Sequence, residues 1–136
     1  MMRSKTLALS LLIGLFATTA FARPFLDPET EQLLVEAVEA AVTLDLFHAR
    51  CRSDGSNRRT ENLNKLIAGK FRLTVLGVQD DLFPERSYRR AQERLQRDFA
   101  AELRAAGGCQ AARASGIAER LATRYQELFT ALERLP

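Results

Sequence analysis

Four stretches of this 136-residue sequence place apolar side chains three and four residues apart, and only an α-helix gathers residues of that spacing onto one face. The first holds Leu33, Leu34, Ala37, Val38, Ala41, Leu44, Phe47, His48 and Cys51. The second holds Leu63, Leu66, Ile67, Phe71, Val75 and Val78. Tyr88, Ala91, Leu95, Phe99, Leu103 and Ala106 make the cleanest stripe, and Ile117, Leu121, Tyr125, Leu128, Leu132 and Leu135 complete the set. Abundant Ala, Leu, Arg and Glu with few prolines is a helix former's composition.

Local signals set the expected ends. Pro28 at the first helical position, Asp27 as N-cap, and Glu29 and Glu31 at the positive end of the dipole start helix one, which runs to about Arg50. Val35, Val42 and Leu46 lie off its main stripe, so this helix is either the most buried of the set or meets a partner, including a second copy in a homodimer. Ser56 or Asn57 caps helix two, which reaches roughly Val78. Residues 71–75 also alternate with period two and read as a competing strand. Pro84 at N1 opens helix three, with Glu85/Arg89, Glu93/Arg97 and Arg94/Asp98 spaced for i,i+4 pairing and Gly107 as a left-handed stop. Cys109 to Ala114 form a short turn of helix, and Ser115 caps helix four.

Helices of about 20 residues, each roughly 30 Å long, joined by short loops predict an all-α, single-domain, up-down-up-down four-helix bundle. In that topology the end of helix one and the start of helix four share a pole, which brings Cys51 and Cys109 together as a structural disulfide.

Compartment points the same way. Arg3 and Lys5, the uncharged apolar run Leu7 to Ala17, and Ala20-Phe21-Ala22 read as a secretory signal over residues 1–22, cleaved before Arg23 to leave a helical domain over 23–136. A periplasmic or secreted destination is oxidising and permits the disulfide. No later apolar run reaches the roughly 18 residues of a membrane span. Of 20 basic residues, Arg3 and Lys5 lie in the signal, which leaves 18 against 17 acidic ones, a formal +1. That balance argues against a nucleic-acid partner.

Chemistry is sparse. His48 is the single histidine, three residues after Asp45, and this carboxylate-x-x-His spacing is half of the ligand set of a carboxylate-bridged metal bundle without the other half. Both methionines lie in the signal, and C-x-x-C-H is absent, which removes covalent haem attachment. No catalytic, cofactor-binding or metal-ligating residue is therefore assigned, although Asp45 and His48 mark where a small enzyme would have to place its site. Two features suggest a partner-binding face: Arg86, Arg89, Arg90, Arg94 and Arg97 on the outer half of helix three, and the apolar loop residues Leu82 and Phe83, which either cap the core or stand out as an anchor. The expected function is a non-enzymatic, exported binding or accessory module acting on a periplasmic or extracellular protein. An alternative is a small apolar-ligand carrier opening between helices one and two at Val35, Val42, Leu46, Leu73 and Leu76.

Overall fold

A computed structural model describes residues 25–136; the expected signal lies outside them. The described residues are mostly helical, contain no strand, and form six helices: α1 (Pro28–Cys51), α2 (Arg58–Phe71), α3 (Val75–Asp81), α4 (Tyr88–Ala106), α5 (Cys109–Ala114) and α6 (Ile117–Arg134). Among them no helix is long and apolar enough to cross a membrane.

α1 begins as its sequence dictates. Asp27 caps it, its Oδ1 accepting from the Thr30 backbone N–H at 2.9 Å, and this bond holds the Asp27 carboxyl below its ordinary pKa. α1 then touches each of the other five helices. Its surplus apolar residues are used inside the chain: Val42 is buried, and Val35 and Leu46 pack half-buried against the core. The main core joins Leu34, Val38 and Ala41 of α1 to Leu63, Ile67, Val78, Leu95, Leu128 and Leu132. A smaller cluster near the disulfide holds Phe47, Phe99, Leu103, Ala112, Ile117 and Ala118, and Leu46 packs against both.

Helix two is divided. Arg72 takes a left-handed conformation (φ 54°) and closes α2, Thr74 caps α3 by accepting from the Gly77 N–H at 2.9 Å, and the Asn64 side chain accepts from the Val75 N–H at 2.8 Å. Residues 71–75 are thus neither one continuous helix nor a strand. The cap of α2 also differs from expectation. Asn57 stands at the N-cap with φ 53° and makes no side-chain cap bond, nor does Ser56 supply one; Asp45 of α1 accepts from the Arg59 and Thr60 N–H groups at 3.2 and 2.8 Å.

Pro84 does not open a helix. α4 starts at Tyr88 behind Ser87, whose Oγ accepts from the Arg90 N–H at 3.4 Å, while the Asp80 carboxylate accepts from the Tyr88 N–H at 2.6 Å. The preceding turn exists because Phe83 is drawn wholly into the core. Burying a phenylalanine is worth about 2–3 kcal/mol, more than the residues Pro84 to Ser87 would gain by forming a first helical turn. At the far end Gly107 supplies the expected left-handed stop (φ 95°), and the Gly108 N–H returns to the Leu103 carbonyl at 3.0 Å. Gly116, with φ 77°, stands at the N-cap of α6 in place of Ser115, whose hydroxyl donates to the Ala112 carbonyl at 3.0 Å. Cys51 and Cys109 form the disulfide, with Cα atoms 5.2 Å apart.

Candidate functional site

The connection from α3 to α4 and the first turns of α4 carry the expected binding residues, and Phe83 decides how they are arranged. It is 0 % exposed and so cannot act as an exposed anchor; Leu82 is half-buried against the same core. The Arg94 guanidinium lies over the Phe83 ring, 5.8 Å from its centroid. Arg94 also bonds Glu85, reaches Glu39 of α1 at 2.7 Å and Asp98 at 3.5 Å. This arginine has left the expected binding face and become a strut between α4, α1 and the loop. The bond from Arg94 holds the Glu85 carboxyl below its ordinary pKa, and Glu85 in turn raises that of Arg94.

Glu85 is therefore not paired with Arg89, and the exposed face of α4 loses an anion it was expected to keep. Arg86, Arg89, Arg90 and Arg97 all remain exposed. Arg86 and Arg90 donate to the backbone carbonyls of Asp81 and Glu85, which fix their stems beside the loop without neutralising either charge. Arg89 and Arg97 make no hydrogen bond or ion pair among the described residues. Arg89, Arg90 and Arg97 of α4, with Arg86 in the loop before it, make a positive surface in which Glu93 and the Arg94-paired Asp98 are the exposed carboxylates.

No family model, curated protein or solved structure matches this chain.

Asp45 and His48 do not form a site together. Asp45 spends both oxygens on the start of α2 and pairs with the Arg59 guanidinium at 3.5 Å, whereas His48 Nδ1 lies 3.8 Å from Asp54. Burial, Arg59 and Arg52 push the His48 pKa down, favouring the neutral ring. Asp54, bonded by Ser56 and Arg59, is lowered to about 2. Arg59 thus ties α1, the 53–57 turn and α2 together, and the half-buried Tyr125 hydroxyl, its pKa raised first by desolvation and then by Asp45, donates to the Arg59 carbonyl at 3.2 Å. Asp45, Asp54, Arg59 and Tyr125 are engaged in these contacts, and no three His, Cys, Asp or Glu side chains converge among the described residues.

The residues expected to open a carrier cavity do not converge either. Leu46 lines a hollow of about 470 Å³ between α1 and α4, Leu76 lines another of about 380 Å³ beside α2, α3 and α4, and Val35, Val42 and Leu73 pack on the core. The residue sequence reasoning missed is Gln79. It sits in what reads as a connection, yet it is 0 % exposed and its amide has no hydrogen-bond partner. The one available signal was its place one residue after Val78, the last residue of the apolar stripe.

Proposed function

We propose that this chain is an exported accessory protein of the periplasm or extracellular space that docks an acidic protein partner through α4, without catalysing a reaction. The observation that carries the reading is the uneven use of the helix's arginines. Arg94 gathers Glu85, Glu39 and Asp98 to itself, so Arg89, Arg90 and Arg97 of α4, and Arg86 in the loop before it, face solvent with Glu93 as the exposed carboxylate among them that Arg94 does not hold. A fixed positive face of this kind steers an acidic surface and sets its orientation. Export is supported by the signal pattern of residues 1–22 and by the disulfide, which persists in an oxidising compartment.

The scaffold we propose for this surface is the up-down-up-down bundle formed by α1, α2, α4 and α6. Two facts support it. The Lys70 ammonium near the end of α2 donates to the Glu133 carbonyl near the end of α6 at 2.6 Å, and both ends border a hollow shared with Asp27 and Thr30 at the start of α1. Cys51 at the end of α1 meets Cys109 just beyond the end of α4.

The test uses residues 23–136 as bait in periplasmic extract, beside the Arg89→Glu/Arg97→Glu double variant. A partner should be retained at about 0.05 M salt, released at about 0.5 M, and absent from the variant. Identical proteins on both baits, or retention indifferent to salt, would overturn the reading.

A further inference from the structure

The row of exposed arginines on α4 does not end with Arg97. Arg90, Arg97 and Arg104 stand seven residues apart, two helical turns, so they follow one line of the helix at intervals of about 10 Å. Arg104, the last of them, meets a hollow of about 470 Å³ between α1 and α4, a volume in the range of ordinary binding pockets, and Arg50 lines it from α1. Apart from Gln96, the lining between these two cations is apolar. Leu46, Ala49 and Ala100 within it are at least partly exposed, so it is reachable from solvent. Arg50 and Arg104 are themselves exposed and make no side-chain hydrogen bond or ion pair among the described residues, and no carboxylate lines the hollow. Each lies in the last turn of its helix, where the dipole favours a cation, which accounts for their sign but not for the apolar hollow they share.

From this continuity we infer that the hollow anchors an acidic amphipathic helix of the partner protein. One large apolar side chain of that helix seats against Leu46 and Ala100, its neighbouring carboxylates meet Arg50 and Arg104, and the rest of it follows Arg97 and Arg90. The spacing selects a polypeptide over a small amphiphile. A fatty acid carries its charge at one point and would engage only the cations at the hollow, whereas a helix with acidic residues two turns apart meets Arg104, Arg97 and Arg90 in succession. An acidic surface with no apolar residue at that point would leave the hollow unfilled. The inference rests on the docking reading and deepens it by naming the segment recognised: acidic, helical, with a Leu, Ile, Met or Phe among its carboxylates.

A phage-displayed library of random peptides about 15 residues long, enough to cover Arg90 to Arg104 as a helix, is panned against residues 23–136, and the most enriched peptide is synthesised. It should be rich in Asp and Glu around a large apolar residue, gain helix content on binding, and shift the methyl NMR signals of Leu46 and Ala100. Arg50→Ala/Arg104→Ala should weaken it roughly tenfold, with Tm lowered by only a few degrees because both side chains are exposed. Alanine in place of the peptide's apolar residue should weaken it by a similar factor. Enrichment of no peptide or of basic ones, methyl signals that do not move, or equal affinity for wild type and Arg50→Ala/Arg104→Ala would each overturn the inference. Dodecanoate that moves the same methyl signals and binds more tightly than the peptide would overturn it too, since a free amphiphile would then be the ligand. If Arg89→Glu/Arg97→Glu loses the extracted partner while Arg50→Ala/Arg104→Ala binds both it and the peptide unchanged, the docking face stands and the hollow falls.

Discussion

Three side chains in this molecule finish helices to which they do not belong. Asp45 of α1 accepts the first free N–H groups of α2, Asn64 of α2 accepts the Val75 N–H of α3, and Asp80 of α3 accepts the Tyr88 N–H of α4. Helix starts carry unsatisfied donors that a local Ser, Thr, Asp or Asn ordinarily serves. Where the chain leaves Asn57 in a left-handed conformation, its own side chain cannot reach, and a buried carboxylate from across the turn takes over. Asp45 is the most consequential of the three, since it also faces the Arg59 guanidinium. Asp45→Ala should therefore cost about 3 kcal/mol, combining a lost cap with a charged hydrogen bond, and Asp45→Asn about half of that because one acceptor survives. Urea denaturation of the two variants checks the ratio; equal losses would mean that charge matters more than the acceptor count. A helical wheel reaches only neighbours on the same helix, which is why the sequence pairs Asp45 with His48 and misses its actual partners fourteen and fifteen residues away.

At the level of elements, the helices that could be read from the sequence are those whose start and stop signals agree with their apolar stripes. α1 begins behind Asp27 at Pro28, and α4 ends at Gly107, as local chemistry requires. The division between α2 and α3 was hidden for a physical reason. Leu63, Ile67, Phe71, Val75 and Val78 keep helical spacing across the break, so every one of them is buried whether or not the backbone is continuous. The start of α4 was misplaced because Pro84 satisfies the rule for a first helical residue, while the burial of Phe83 and the Asp80 cap, both tertiary, move the start to Tyr88. Arg72 marks the division energetically. It is exposed with φ 54°, a conformation that costs an L-residue about 1 kcal/mol and a glycine nothing. Arg72→Gly should thus stabilise the protein by about 0.5–1 kcal/mol, read as a higher urea midpoint at unchanged helix content by circular dichroism. A lower midpoint would show that the Arg72 side chain contributes more than its backbone costs.

Over the whole molecule, the one disulfide lies against the smaller of two unequal cores. The larger cluster gathers most of α1 with α2, α3, α6 and the first half of α4; the smaller one, around Phe47, Phe99 and Ile117, lies at the pole where Cys51 meets Cys109. Few buried side chains hold that pole, and Ala112 is the one buried side chain that α5 contributes to it. Polar tethers supplement them: Arg113 donates to the Cys51 carbonyl at 2.6 Å, and Arg52 lies over Phe47. Two residues 58 apart in sequence are linked, and closing a loop of that length should stabilise the fold by about 4 kcal/mol through the entropy removed from the unfolded chain. Cys51→Ser and Cys109→Ser each break the same bond, so the double variant should be destabilised hardly more than either single one. Because α5 has little else to hold it, hydrogen exchange in all three variants should accelerate first at residues 109–118 and reach α2 only with global unfolding. Additive losses, or exchange that rises equally throughout, would mean that the bond supports the main core directly instead of fastening a weak pole to it.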